Sequence, residues 1–152
     1  METEFDRARE YVYRLLTLRP RTEKEIILKM KRRGFSEDDI TGVINLLKDY
    51  GYINDTDFAR MWVKNRCQLK PMGKRRLYEE LYRKGVSKEN IETSLSRLTP
   101  DIEYGMARNI IDRKLAKGSQ EPRKLYSFLL RRGFSHEIVH KIISELGEEA
   151  LE

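Results

Sequence analysis

The sequence predicts an all-α chain: three tandem three-helix, helix-turn-helix-like repeats in an elongated, curved array. Three observations carry this prediction: a helix-forming composition, one segment that recurs three times, and apolar residues spaced for helices throughout. Leu, Lys, Arg and Glu dominate the 152 residues, whereas the strand formers Val and Thr are scarce. A hydrophobic share of 39% against a charged share of 37% excludes a disordered chain. Nine Gly and four Pro are too much punctuation for one long coiled coil.

The recurring segment is Lys31-Arg32-Arg33-Gly34-Phe35-Ser36, Tyr82-Arg83-Lys84-Gly85-Val86-Ser87 and Leu130-Arg131-Arg132-Gly133-Phe134-Ser135. Counting from each glycine, position −26 holds Ala8, Ala59 and Ala107, and −22 holds Val12, Val63 and Ile111. Position −8 holds Ile26, Leu77 and Leu125, and −4 holds Met30, Leu81 and Leu129. Positions +6, +10 and +13 hold Ile40, Ile44 and Leu47, then Ile91, Leu95 and Leu98, then Val139, Ile143 and Leu146. No gap is needed across these columns, so the repeats run 1–50, 51–99 and 100–152.

Spacings of three and four lay these residues along one helical stripe. Each glycine suits the left-handed position that closes a second helix, with cations before it complementing the helix dipole. Ser36, Ser87 and Ser135 then stand where the third helix of each repeat needs an N-cap. Thr22 with Glu25 forms a capping box for the second helix of repeat one. Helices are therefore expected over 6–18, 23–33, 37–49, 56–69, 74–84, 88–98, 101–117, 121–132 and 136–146. A unit of about 40 residues buries too little apolar surface to be stable alone, whereas three in series share interfaces.

One cysteine, Cys67, excludes an intramolecular disulfide and a multi-cysteine metal site. No apolar run approaches the roughly 18 residues that span a membrane, and no signal segment opens the chain, so a cytoplasmic location is expected. The net charge is +6 and unevenly placed: residues 1–50 carry 11 Lys/Arg against 10 Asp/Glu, 51–100 carry 11 against 6, and 101–152 carry 9 against 9. A basic middle repeat calls for an acidic partner. Besides the pairs Arg32-Arg33, Arg83-Lys84 and Arg131-Arg132, the middle repeat adds Lys64, Arg66, Lys70, Lys74, Arg75 and Arg76. Lys70 to Arg76 flanks a loop entering a helix, where cations and helix N–H groups can face one run of phosphates.

Catalysis has no evident seat. His136-Glu137-Ile138-Val139-His140 matches the H-E-x-x-H zinc pattern, but His136 and Glu137 fill the first turn after a cap and no third histidine exists. Gly73-Lys74 lacks the upstream glycine of a phosphate-binding loop. Tyr78 and Tyr126 share a column with Ile27, Trp62 with Tyr11 and Ile110, and Cys67 with Leu16 and Leu115, which makes them packing residues. The tail Glu145, Glu148, Glu149 and Glu152 reads as a solvated end.

The junction Leu46-Leu47-Lys48-Asp49-Tyr50-Gly51-Tyr52-Ile53-Asn54-Asp55-Thr56-Asp57-Phe58-Ala59 resembles a signature of the RecX family of bacterial recombinase regulators. Gly73-Lys74-Arg75-Arg76-Leu77-Tyr78-Glu79-Glu80-Leu81-Tyr82-Arg83-Lys84-Gly85-Val86 is similar to that family's second motif. In the first motif Gly51 can end a helix, Tyr52 and Ile53 can pack between units, and Asp55 or Thr56 can cap the next helix. The resemblance, which extends from about Ala8 to Leu146, implies a non-enzymatic regulator of recombination and DNA repair that takes no cofactor and no metal. Its implied partner is the RecA recombinase filament on DNA, whose assembly, ATPase, strand-exchange and coprotease activities it restrains. Weak, salt-sensitive binding of free single- or double-stranded DNA and a monomeric state accompany that expectation. Lys70, Lys74, Arg75, Arg76, Arg83 and Lys84 are the candidate contacts, with Arg32, Arg33, Arg131 and Arg132 secondary. A direct DNA-binding helix-turn-helix transcription factor is the alternative.

Overall fold

The computed structural model describes residues 1–151, and these form nine helices and no strand. They are α1 (Glu4–Leu18), α2 (Glu23–Arg32), α3 (Glu37–Asp49), α4 (Asp55–Leu69), α5 (Lys74–Arg83), α6 (Lys88–Leu95), α7 (Pro100–Ala116), α8 (Pro122–Arg131) and α9 (His136–Leu151). The Ser caps are in place: the backbone N–H groups of Asp39, Asn90 and Ile138 donate to the hydroxyls of Ser36, Ser87 and Ser135 at 3.1, 3.2 and 3.2 Å. Thr22 and Glu25 close the capping box of α2. A second box, Thr3 with Asp6, starts α1 two residues earlier than expected. At α4 the cap is Asn54, whose Oδ1 accepts the Asp57 N–H at 3.1 Å, rather than Asp55 or Thr56.

Each repeat's second helix ends alike. Gly34, Gly85 and Gly133 have φ of +88°, +91° and +92°. The following Phe35, Val86 and Phe134 N–H groups reach back to Met30, Leu81 and Leu129 carbonyls at 3.3, 3.1 and 3.2 Å. Only glycine enters that left-handed region cheaply.

The chain forms two compact units: residues 1–60 with 81–91, and residues 61–80 with 92–152. The middle repeat is thus shared between them. In the first unit, Ala8, Val12, Ile26, Met30, Ile40, Val43, Ile44, Leu47 and Ile53 make one buried cluster. In the second, Ala107, Ile111, Leu125, Leu129, Phe134, Val139 and Ile142 do the same. In the third repeat the buried side of α9 is Val139 and Ile142, while Ile143 and Leu146 are only half-buried.

α9 runs five residues past the expected end, to Leu151, with two acids of its tail, Glu145 and Glu149, held by α7; Glu152 lies outside the described residues. Arg108 on α7 donates to both carboxylate oxygens of Glu149 at 2.8 Å and to Glu145 at 3.3 Å, and the Tyr104 hydroxyl also donates to Glu145. These bonds hold the two final turns against α7.

Neighbouring repeats meet through one joint, built once in each unit. In the first unit the Glu23 N–H opening α2 donates to Asp55 Oδ1 at 2.9 Å, and Thr22 Oγ1 donates to the Lys84 carbonyl at 2.6 Å. In the second unit the Lys74 N–H opening α5 donates to Glu103 Oε2 at 3.0 Å, and the Gly73 N–H donates to the Arg132 carbonyl at 2.9 Å. These are the same repeat columns: Glu23 and Lys74 stand 11 before their glycines, and Asp55 and Glu103 stand 30 before theirs. A helix N-terminus, positive by its dipole, thus receives a carboxylate from the next repeat and lies against the C-terminal carbonyls of that repeat's second helix.

Candidate functional site

The ten candidate cations divide by what their side chains already do. Arg75 and Arg76, in the first turn of α5, reach the carbonyls that end α8. Arg76 Nη1 donates to the Arg131 carbonyl at 3.0 Å, and Arg75 Nη2 donates to that of Leu130. Arg75 also pairs with Glu79 at 3.5 Å. Arg132 Nη1 donates to the Pro71 carbonyl at 2.9 Å. Lys84 pairs with Glu25 at 3.8 Å, and the Arg33 guanidinium lies 4.6 Å from the centre of the Tyr11 ring. These five cations are part of the joints and helix ends, where carbonyl dipoles welcome a positive charge.

The side chains of Arg32, Lys70, Lys74, Arg83 and Arg131 make no hydrogen bond or ion pair among the described residues. All but Lys74 are exposed. Arg66, part of the basic surplus, is neutralised: it pairs with Glu80 through Nε at 3.2 Å and Nη2 at 3.1 Å. Glu80 also accepts the Trp62 indole N–H at 3.0 Å, and the Arg66 guanidinium covers that indole at 4.8 Å. Trp62 is therefore half-exposed and polar-anchored rather than a core side chain.

Around Lys70 the second unit brings together cations from separate elements. Lys70 lines a cleft of about 390 Å³ with Arg113, Lys114 and Lys117 of the α7 end and with Arg132. Sequence reasoning missed the α7 group because residues 101–152 are charge-balanced overall. Its available signal was spacing: Ile110, Arg113, Lys114 and Lys117 follow the i, i+3, i+4, i+7 pattern of one helix face. Four of the acids that balance them are engaged elsewhere, Asp112, Glu145 and Glu149 on Arg108 and Glu103 on the Lys74 N–H.

A second hollow of about 480 Å³, in the α5–α6 part of this unit, is lined by Lys74, Arg75, Tyr78, Glu79, Glu92, Leu95 and Ser96. Its lining mixes both signs of charge with the apolar parts of Tyr78 and Leu95. The Tyr126 hydroxyl and His136 Nδ1 share a hydrogen bond at 3.1 Å, so the first histidine of the H-E-x-x-H segment is engaged by a phenol. His140 is exposed, and no group of three or more His, Cys, Asp or Glu is placed to hold a metal among the described residues. The Cys67 thiol is pushed up from its ordinary pKa by burial and then by the negative charge of Glu103, so it is a poor nucleophile at neutral pH. No helix of the described residues is long and apolar enough to cross a membrane.

Comparison with known proteins agrees with this architecture repeat by repeat. The models of the first, second and third three-helix domains of RecX match residues 8–47, 54–95 and 101–143. The regulatory protein RecX of Mycolicibacterium smegmatis is 34% identical, over 97% of this chain and 84% of its own. That of Caldanaerobacter subterraneus is 34% identical over 90% of this chain and 69% of its own. The crystal structure of RecX from Lactobacillus salivarius superposes with a TM-score of 0.84 at 25% identity, covering 95% of this chain and 97% of that one. With three consecutive domain matches and relatives aligned over nearly its whole length, the chain belongs to the RecX family of regulatory proteins.

Proposed function

We propose that this protein restrains the RecA recombinase filament on DNA, limiting filament assembly and the ATPase, strand-exchange and coprotease activities that depend on it. The observation that carries this reading is family membership spanning all three repeats, in a chain whose joints leave a set of cations unneutralised. Lys70, Lys74 and Arg83, with Arg32 and Arg131, are the proposed contacts, because partner binding costs these side chains no internal bond. Arg75, Arg76, Lys84, Arg33 and Arg132 act first as structural cations, and any partner they meet finds them already oriented. The partner is a filament in the cytoplasm, and the protein acts by binding, without catalysis or cofactor.

The duplex-reading transcription factor is the weaker reading on electrostatic grounds. A recognition helix presents its N-terminal residues to the groove. Here the first turn of α3 carries Glu37, Asp38 and Asp39, that of α6 Lys88 and Glu89, and that of α9 His136 and Glu137. Acids at those positions repel phosphate.

The test is DNA-dependent ATP hydrolysis by the recombinase with increasing amounts of this protein. Inhibition is expected, and Lys70→Glu with Arg83→Glu is expected to weaken it by roughly tenfold in half-maximal concentration while helical circular dichroism is unchanged. Undiminished hydrolysis at saturating wild-type protein rejects the assignment. Reversing Arg75 and Arg76 is a poor test, since it breaks the bonds to the end of α8.

A further inference from the structure

We infer that the cleft lined by Lys70, Arg113, Lys114, Lys117 and Arg132 is a binding site for single-stranded nucleic acid, taking backbone phosphates on its cations and the face of a base on its apolar side chains. The inference deepens the proposed function, on which it rests for the choice of DNA as the polymer.

Two features of the cleft argue for an anion. Five cations line it and no carboxylate does. Among the described residues, Lys70, Arg113, Lys114 and Lys117 have no ion-pair partner. Like charges drawn onto one concave wall repel, and a low-dielectric floor strengthens that repulsion, so an incoming anion relieves a cost the free protein bears. Three acids of the third repeat are engaged by Arg108 instead: Asp112 at 3.2 Å, Glu145 at 3.3 Å and Glu149 at 2.8 Å.

The cations are also positioned, not merely numerous. Lys114 Nζ stands 4.3 Å and the Arg132 guanidinium 5.1 Å from the centre of the Phe128 ring. Arg132 is further fixed by its 2.9 Å bond to the Pro71 carbonyl. Cation–π contact and hydrogen bonding orient these two before any ligand arrives, which lowers the entropy lost on binding.

The apolar part of the lining distinguishes the kind of polyanion. Leu69, which is 84% exposed, lines the cleft with Pro71, Ile110 and Phe128. A duplex offers this wall phosphates alone and leaves the apolar surface wet. A single strand can turn a base onto it, which is how strand-binding grooves combine backbone charge with apolar contact. About 390 Å³ is within the range of small-ligand clefts and suits one or two nucleotides.

The experiment is fluorescence anisotropy with a labelled oligothymidylate of about 20 nucleotides at low salt, without recombinase. Wild-type protein is expected to bind it. Lys114→Glu with Lys117→Glu is expected to weaken binding by roughly tenfold and to flatten the salt dependence. Arg123→Glu with Lys124→Glu, outside the cleft on α8, is expected to change it by less than about twofold. Absent wild-type binding, equal losses from both pairs, or equally tight binding of a duplex of the same length each overturns the inference. The failures are separable by adding recombinase ATPase assays. If wild type inhibits the recombinase but the cleft variants bind the oligonucleotide normally, the cleft assignment fails and the regulatory reading stands. If the variants lose the oligonucleotide but wild type leaves the recombinase unaffected, the regulatory reading fails and the cleft stands.

Discussion

The carboxylate of Glu103 accepts the backbone N–H of Lys74 at 3.0 Å, so a buried acid of the third repeat caps the second helix of the middle one. Removing it leaves an orphaned N–H at a helix start where the next residues are Arg75 and Arg76. Glu103→Ala is expected to lower stability by about 2 kcal/mol, read as the denaturant midpoint at constant slope, and Glu103→Gln by less because its amide oxygen still accepts. Equal stability of all three proteins contradicts the capping role.

The same carboxylate sets the chemistry of Cys67. Burial is the larger cause of the raised thiol pKa, and the Glu103 charge adds to it. Glu103→Gln removes the second cause and keeps most of the first. The thiol of that variant is expected to react faster with a disulfide reagent at mildly alkaline pH than wild type, yet slower than a free cysteine. A rate that does not change shows that the acid and the thiol are not electrostatically coupled.

Glycines that look equivalent in the repeat are expected to differ in cost. A Cβ at Gly34 meets nothing within 4 Å, so Gly34→Ala carries only the strain of φ +88°, about 1 kcal/mol. At Gly133 a Cβ falls 2.3 Å from Arg76 Cβ and 2.5 Å from its backbone nitrogen. Gly133→Ala is therefore expected to cost at least about 2 kcal/mol more than Gly34→Ala in chemical denaturation. Gly85→Ala, whose Cβ would fall 2.4 Å from Lys24 Cδ and 2.5 Å from Lys24 Cβ, should likewise cost more than Gly34→Ala. Equal losses would mean that α5 and α8 approach less closely than their backbones indicate.

Those glycines also show how far sequence reading reached. Their left-handed backbone, the Ser caps and the apolar columns were legible because each is a local pattern repeated three times. The closeness at Gly133 was not, since nothing in the Arg131-Arg132-Gly133 string announces that Arg76 will lie against it. For the same reason Arg75 and Arg76 looked like free ligands for phosphate, when they end a helix 55 residues away. Local arithmetic failed again for the third repeat. Nine cations and nine acids cancel along the chain, yet Asp112, Glu145 and Glu149 gather on Arg108 while Arg113, Lys114, Lys117 and Arg132 gather at the cleft.

The two acids at the first joint predict opposite pH dependences. Burial opposes ionisation of Glu25, but the Arg19 hydrogen bond, the Lys84 charge and the Thr22 N–H outweigh it, and its pKa is lowered. Its contribution is therefore present above its ordinary value of 4.5 and lost as pH falls through the folded value. Asp55 is raised, chiefly by burial, against the Glu23 N–H that lowers it. The folded state then holds its proton more tightly than the unfolded one, so this contribution declines as pH rises from 3.8 through the folded value. Glu25→Gln should be less stable than wild type at pH 7, with the deficit shrinking toward pH 3. Asp55→Asn, which keeps an acceptor for Glu23, should match or exceed wild type at pH 7 and lose that advantage in acid. Thermal melts across that range decide both, and parallel curves for the three proteins would contradict the assignment of the shifts.

Arg108 is expected to hold the last turns of α9. Its guanidinium serves Asp112 at 3.2 Å, Glu145 at 3.3 Å and Glu149 at 2.8 Å, and the Glu149 hydrogen bond, followed by the charge and hydrogen bond of Asp112, raises its own pKa above the usual arginine value. Without it, Glu145 and Glu149 stand one turn apart on α9 and repel, at the helix end where the dipole already disfavours negative charge. Arg108→Ala should therefore leave the buried cluster around Ile111 and Ile142 intact and cost only about 1 kcal/mol globally. Locally the effect should be larger: amide exchange in residues 145–151 should accelerate to near that of an unprotected peptide. Arg108→Lys retains the charge but cannot span three carboxylates, so intermediate protection is expected. Wild-type exchange rates in Arg108→Ala would show that the tail's helicity comes from elsewhere, and would return it to the solvated end that its composition suggests.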